Sequence, residues 1–468
     1  MLGASFAGLI SPMSASIYYP ALPALAEDMH VSNSLINLTV MTYLIFQGIA
    51  PSFTGSLSDA YGRRPAYMIC FTIYVGANIG LALQNNYAAL MVLRCLQACG
   101  SSGTIAVGSA VVADMSTRAE RGKYIGYATI GMTLGPALGP VIGGLLDQFL
   151  GWRWIFWFLA ILGGALLVVF LVFVPETCRA VVGNGSVPAQ RWNRSILGMV
   201  REGLRLKKGQ RKENTIDYES VQQSGKRPNP LTSVRIATEK ETGLILLYGA
   251  LLYAGFTIVI STLSAQLESR FNFNAIQVGL CYLPFGIGSL TSRWTVGVVL
   301  DWNFKREAKK QGLSIVKNKQ QDIREFDIEA ARLKVTIPLV YAACLCIIGY
   351  GWVMDYKTTL AGPLVMLFFT GHLTTGAFTT LSTLVVDVHR HGPATAVAAN
   401  NLVRCLLGAV AAAVGTPLID RIGIGWTATF VAGIWAVFSP LLWMVSRWGH
   451  GWREEMRVKG EAEKDARG

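Results

Sequence analysis

The chain has 468 residues, of which 52% are hydrophobic and only 15% charged, with a mean hydropathy of +0.41. Soluble domains carry about 25% charged residues, so a water-soluble enzyme is excluded and a polytopic membrane protein is the class that remains. A net charge of +13 would raise nucleic acid as a partner if the basic residues gathered on one folded surface, but they lie between apolar runs, and no nucleic-acid partner is expected.

A membrane-crossing helix takes roughly 20 apolar residues. Twelve such spans follow one another, near 2–25, 36–54, 66–84, 88–112, 123–146, 153–175, 243–265, 275–298, 335–354, 361–386, 394–418 and 425–446. The first begins at Met1-Leu2-Gly3-Ala4 without a basic flank and is too long for a signal-peptide core, so it reads as a transmembrane helix. Six spans precede a polar stretch and six follow it. The expected divisions are an N-terminal six-helix half (1–175), a largely disordered cytosolic linker with one short amphipathic helix (176–240), a C-terminal six-helix half (241–447) and a cytosolic tail (448–468). With both termini in the cytosol, 34 of the 41 Lys and Arg fall on the cytosolic side, and that bias sets the orientation. Asn184 and Asn193 match the glycosylation pattern but should stay unmodified on that side. The eight cysteines form no Cys-x-x-Cys pair and mostly sit in apolar runs, so they are read as packing residues and no metal site is expected.

The halves echo each other, as in a duplicated transporter. Gly55-Ser-Leu-Ser-Asp59, followed by Arg63 and Arg64, reappears as Gly297-Val-Val-Leu-Asp301, followed by Lys305 and Arg306. Span four ends at Asp114 with Arg118 and Gly122 beyond it; span ten ends at Asp387 with Arg390 and Gly392. Leu146-Asp147 before Gly151-Trp152 likewise returns as Ile419-Asp420 before Gly425-Trp426.

Gly55 to Pro65 places Gly55 and Gly62, one carboxylate and the guanidinium groups of Arg63 and Arg64 in a tight turn. Glycines allow close helix approach, and Asp59 can form charge-assisted pairs with the arginines. The plain alternative is an ordinary basic loop. This turn resembles the signature loop of the major facilitator superfamily. The resemblance implies an intracellular lock formed by Asp59 and Arg63, with Asp114 as a partner, that favours the outward-open state. In span five, Gly131, Gly135, Gly139 and Gly143 share one helix face beside Pro136 and Pro140. That face can press on another helix backbone while the prolines bend it; a phosphate-binding loop fails because no Lys-Ser/Thr follows. The pattern is similar to the antiporter motif of drug:proton exporters, and Ser11-Pro12 to Pro20 and Pro23 in span one resembles the twelve-span drug:H+ antiporter group. Asp301-Trp-Asn-Phe-Lys-Arg, Thr383 to Asp387 and Ala398 to Gly408 resemble the fungal branch that contains quinidine-resistance multidrug exporters and citrate exporters. The implied fold is an all-α membrane protein of twelve transmembrane helices in two pseudo-symmetric six-helix halves, with the cavity between them and the plasma membrane as its location.

Ionisable side chains within spans are costly and point to function. Arg94 with Gln97 resembles the family's Arg-x-x-Gln motif, linked there to proton transfer; the alternative is an arginine snorkelling outward. Arg404 lies one turn from Asn400, so both can face one cavity or bridge helices structurally. Arg293 sits near the end of span eight, where snorkelling past Asp301 competes with substrate contact. His372 is either a satisfied core histidine or a titrating group, and His389 and His391 belong to a cytosolic loop. No carboxylate lies mid-span to hold an organic cation. Arginine does not titrate, so proton coupling would fall to His372, Asp114 or a substrate carrying its own protons. The expectation is a monomeric, non-enzymatic secondary exporter without cofactors. It works by alternating access, coupled to protons, and the charge inventory leans towards organic anions such as citrate or other carboxylic acids. A broad-specificity multidrug:proton antiporter is the alternative.

Overall fold

The computed structural model describes residues 2–115, 121–182, 193–200, 231–310, 327–356, 359–389 and 393–465. Among these the secondary structure is helical, with no strand. The helices are α1 (Leu2–Ser16), α2 (Leu22–Asp28), α3 (Asn33–Tyr61), α4 (Arg63–Leu83), α5 (Tyr87–Met115), α6 (Arg121–Leu150), α7 (Arg153–Val172), α8 (Arg179–Val182), α9 (Leu231–Ala237), α10 (Lys240–Phe271), α11 (Ala275–Cys281), α12 (Leu283–Lys310), α13 (Ile328–Asp355), α14 (Ala361–Val388), α15 (Pro393–Phe438) and α16 (Pro440–Asp465).

Every predicted span falls on helix, and the departures follow proline and glycine. The first span breaks after α1 into a 3-10 turn, Tyr19–Ala21, before α2, because Pro20 donates no backbone N–H and Pro23 is suited to a first helical turn. Spans eleven and twelve run into α15, whose kink is Gly423 at φ 80°, and Pro440 opens α16. That last helix carries through to Asp465, so the predicted tail continues a helix rather than starting free. Helix ends are satisfied locally. Ser32 Oγ accepts from Leu35 N at 3.3 Å, and Asp327 Oδ1 accepts from Ala330 N at 2.9 Å.

The chain forms two compact units, Met1–Leu231 with Asn274–Gly279, and Thr232–Phe273 with Leu280–Gly468. In the first, α1 packs on α6, α3 on α5, and α4 on both α5 and α7. In the second, α10 packs on α15, α12 on α14, and α13 on both α14 and α15. First with fifth, second with fourth, third with fourth and sixth is one pairing scheme used twice, so the sequence echoes reflect a repeated fold. Apolar contact alone drives little association in lipid, where close van der Waals packing does the work. Within the second unit, two helices exchange matched polar contacts. Trp435 Nε1 donates to Leu251 O at 2.9 Å and Tyr248 Oη donates to Trp435 O at 2.8 Å.

The α1–α6 seam is set by the predicted glycine face. A Cβ added at Gly131 would strike Ser5 O, at Gly139 the hydroxyl of Ser16, and at Gly143 Ile17 O; at Gly135 it would lie 2.8 Å from Met13 N. Ser16 Oγ, on α1, donates to Gly135 O at 3.0 Å. Helix α6 continues through Pro136 and Pro140. Gly143→Ala should lower the thermal stability of the detergent-solubilised protein by about 1–3 kcal/mol, the cost of overpacking. Gly164→Ala, where an added Cβ meets nothing within 4 Å, serves as the control and should be neutral or stabilising by up to about 1 kcal/mol. Equal melting temperatures in the two variants would show that the seam tolerates a methyl group.

Candidate functional site

The α3–α4 turn of the first unit is closed by Gly62, whose φ of 110° is strained for any side chain. Its N–H reaches Ser58 O at 3.1 Å and ends α3. A Cβ at Gly62 would also collide with the Glu176 carboxylate, whose Cδ would lie 2.8 Å away. At Gly55, by contrast, an added Cβ meets nothing within 4 Å, so only one of the two glycines is required by close approach.

Arg63 opens α4 and gathers three acceptors. Its Nε donates to Asp114 Oδ2 at 2.8 Å, and its Nη1 donates to Ser58 Oγ at 2.8 Å and to Asp59 Oδ1. Exposure ranks the two carboxylates: the Asp114 side chain is 13% exposed and that of Asp59 53%, against 11% for Arg63. An ion pair with a solvated partner is worth about 0–1 kcal/mol, whereas breaking a buried one costs about 3–5 kcal/mol. Asp114 is therefore the anchor and Asp59 the lesser contact. Arg64 turns away and donates from Nη2 to Leu171 O at 2.9 Å.

Glu176 completes the turn. Its Oε1 accepts from the backbone N–H of Arg63 at 2.8 Å, Thr177 at 2.9 Å and Cys178 at 2.9 Å, and its Oε2 accepts from Arg64 N at 3.1 Å. A carboxylate at the N-terminus of α4 meets donors that helix geometry leaves free, with a favourable dipole. Asn193 Nδ2 donates to Tyr61 O at 3.1 Å, and Asn193 is 1% exposed, which buries that glycosylation match. The predicted linker thus begins and continues as part of the turn. Its stretches 183–192 and 201–230, with Asn184, lie outside the described residues.

The second unit carries a corresponding pair, on a different residue from the one its echo suggests. Asp387, ending α14 as Asp114 ends the run of α5, accepts from Arg332 Nε at 3.2 Å and Nη2 at 3.1 Å. Arg332 lies in the first turns of α13, the helix that corresponds to α4. Asp301 and Lys305 are exposed on α12, and neither forms an ion pair among the described residues. Beside this pair, His389 Nδ1 faces Val385 O at 3.1 Å and Nε2 faces Glu239 Oε2 at 2.7 Å. Burial alone would lower the His389 pKa, but its hydrogen bond to the Glu239 carboxylate outweighs this and the pKa is raised. His391 lies outside the described residues. At the opposite end of each unit, Asp28 pairs with Arg153 at 3.2 Å and Arg270 with Asp355 at 3.3 Å.

The two span arginines share an unusual environment. Arg94 is 1% exposed, donates from Nη1 to Gln97 Oε1 at 2.5 Å, and lies over the rings of Tyr18 and Tyr43 at 4.1 and 4.3 Å. Gln97 in turn donates to Asn78 Oδ1 at 2.7 Å. The expected motif pair is therefore a real contact, inside a polar core. Arg404 donates from Nη2 to Asn401 Oδ1 at 2.6 Å and lies over Tyr253 and Phe378 at 4.8 and 5.4 Å. The expected companion Asn400 instead donates to Ser382 Oγ at 2.9 Å. One residue along a helix turns a side chain by about 100°, enough to exchange Asn400 for Asn401. In each arginine Nε is buried without a hydrogen-bond partner, and no carboxylate stands in ion-pair range among the described residues. Arg293 is exposed on α12 beside Trp294, which is 78% exposed. His372 is held by hydroxyl groups, with Thr291 Oγ1 3.0 Å from Nδ1 and Thr295 Oγ1 3.2 Å from Nε2.

The family model described as Major Facilitator Superfamily matches residues 4–412. A relative from Phoma sp. (strain ATCC 20986 / MF5453), named MFS-type transporter R5, is 51% identical over 96% of this chain and 84% of its own length. Citrate exporter 1 of Aspergillus niger is 36% identical over 98% of this chain and 87% of its own. Among solved structures, the crystal structure of the human organic anion transporter MFSD10 (TETRAN) aligns with 94% of this chain and 98% of its own at a TM-score of 0.56, with 19% identity.

Asp114→Asn should destabilise the solubilised protein by about 3–5 kcal/mol and Asp59→Asn by no more than about 1 kcal/mol, read from thermal unfolding; equal losses would reverse the ranking of the two partners. His389 generates a pH dependence of known sign. With its folded pKa raised, its contribution is fully present below about pH 6.5, its unfolded value, and is lost as pH rises through the folded value. Stability should therefore fall on going alkaline, and Glu239→Gln should flatten that part of the melting-temperature profile.

Proposed function

The chain belongs to the major facilitator superfamily, and from that membership we propose that it is a secondary active exporter of carboxylic acids, working by alternating access and driven by protons. It is an integral multi-pass membrane protein, and its relatives are transporters rather than enzymes. The finer reading rests on one observation: Arg94, buried, and Arg404, half-buried with its Nε enclosed, are full charges without a carboxylate in ion-pair range among the described residues. Such a charge is tolerable when a counter-charge or water meets it during the working cycle. A carboxylate substrate supplies that charge, and a guanidinium fork matches it in two parallel hydrogen bonds. The Aspergillus niger relative named as a citrate exporter supports the same substrate class.

In this reading the Arg63–Asp114 contact, with Asp59, and the Arg332–Asp387 contact are cytosolic locks that part when the transporter opens inward. The glycine face of α6 lets α1 move as a close-packed partner. Both termini lie in the cytosol of a plasma-membrane protein. A multidrug:proton antiporter is the second reading, favoured by a run of rings that starts at Arg404: it lies over Tyr253 and Phe378, and Phe378, Tyr253, Phe256 and Phe285 form a chain of contacts with centroids 5.0–6.4 Å apart. Such rings suit an apolar body as well as an acid.

Arg404→Lys should cut carboxylate export about tenfold or more in reconstituted vesicles, since a point charge loses one charged hydrogen bond worth about 1.5–3 kcal/mol. Arg404→Ala should nearly end it. Full carboxylate export in both variants, or a wild type that moves only cationic drugs, hands the function to the multidrug alternative.

A further inference from the structure

A second set of charges in the second unit is left unused by the transport reading. It is built from the first turns of α10 and α13 with α16 beside them. Glu241, the second residue of α10, is 1% exposed, and Glu329, the second residue of α13, is 0% exposed. Both precede the apolar stretches of their helices. Their carboxyl groups lie within hydrogen-bonding reach of each other, and none of the four oxygens accepts a hydrogen bond of ordinary geometry among the described residues. The cation beside them is Arg453 of α16, whose Nη1 lies 3.1 Å from Glu329 Oε1 while its Nη2 donates to His450 Nδ1 at 2.7 Å.

The surrounding charges are engaged elsewhere. On α10 and just before it, Lys240 lies over the Trp452 ring at 4.4 Å and Glu239 holds His389 of the α14 end. On α13, Asp327 caps Ala330 N, Arg332 holds Asp387 of α14, and Lys334 holds Glu307 of α12 at 2.8 Å. Among the described residues, the buried group that these pairs leave is two carboxyl groups with one guanidinium beside them. Two ionised carboxylates offer only acceptors to each other and repel. One proton between them converts the contact into a charge-assisted O–H···O hydrogen bond and leaves a single negative charge for Arg453 to balance.

We propose that Glu241 and Glu329 share one exchangeable proton and that this pair is the proton-binding site of the second unit. The shared hydrogen bond fastens the first turns of α10 and α13. When those turns part, the carboxyl O–H bond breaks, the proton passes to water, and both groups become solvated carboxylates. Its use for coupling rests on the export reading, and it fills a need that His372, held by threonine hydroxyls, and Asp114, held by Arg63, leave unmet.

The test is infrared difference spectroscopy of the purified full chain in detergent as pH is raised from about 6 to about 9. A buried protonated-carboxyl stretch should be present at neutral pH and vanish on titration. It should be missing in Glu241→Gln and in Glu329→Gln, whose amides can still donate to the remaining carboxylate and keep the fold. Arg453→Met removes the balancing cation and should raise the band about twofold as a second proton binds. A wild type without the band, or a band that persists in both amide variants, overturns the site. In proteoliposomes Glu241→Gln should lose the acceleration of carboxylate export by an imposed pH gradient; an acceleration equal to wild type overturns its coupling role. If wild-type vesicles export no carboxylate, the export reading fails while the infrared band still decides the proton site.

Discussion

A full charge held out of water needs an opposite charge, a dipole or a solvent path, and this requirement organises the polar interior of both units. The α4 N-terminus and Glu176 answer each other, Arg63 is answered mainly by Asp114, and Arg332 by Asp387. Among the described residues, Arg94 and Arg404 meet an amide oxygen and aromatic faces but no carboxylate. Ring faces and amide dipoles soften a buried cation but leave it short of a full counter-charge. Among the described residues, the same scaffold therefore contains paired charges at helix ends and cations without a carboxylate partner within spans.

Helix packing sets where those groups stand. Because α1 lies against the glycine face of α6, with Ser16 bonded to Gly135 O, Ser11, Ser14 and Tyr18 of the α1 region are drawn into the polar core around Arg94. Tyr18 bonds Thr39, and Tyr43 bonds Ser101 and donates to Ser11 O, so the rings that receive the guanidinium are themselves fixed. A methyl group on the glycine face would push that whole lattice outward. Packing and polar positioning are one problem in this unit.

The spans were legible because crossing a bilayer demands a run of about 20 apolar residues, a signal carried by composition alone. So were Arg63, Asp114, Gln97 and the glycine face, whose partners belong to short motifs. The break in the first span could be read from Pro20 and Pro23, residues whose missing N–H groups are visible in the sequence. What escaped were contacts between residues remote in the chain. Glu176 meets Arg63 across 113 positions, Arg332 meets Asp387 across 55, and His389 meets Glu239 across 150. The Lys305 echo misled because similarity of a loop does not fix which basic residue reaches the acid. The Asn401 contact with Arg404 was not read at all, because one residue of helix phase decides which amide reaches the guanidinium.

The clasp of Glu176 on the α3–α4 turn has a consequence for how the protein is made. Chains emerge from the ribosome at roughly 5–20 residues per second, so the 113 positions between Arg63 and Glu176 correspond to roughly 6 to 23 seconds of synthesis. Through that interval the turn exists without the carboxylate that caps it, and four more spans must be threaded before the cap arrives. The α3–α4 turn of the first unit is therefore finished only after its sixth span has been made. A translational pause just after Glu176 would let the first six spans complete themselves before the second set begins to emerge.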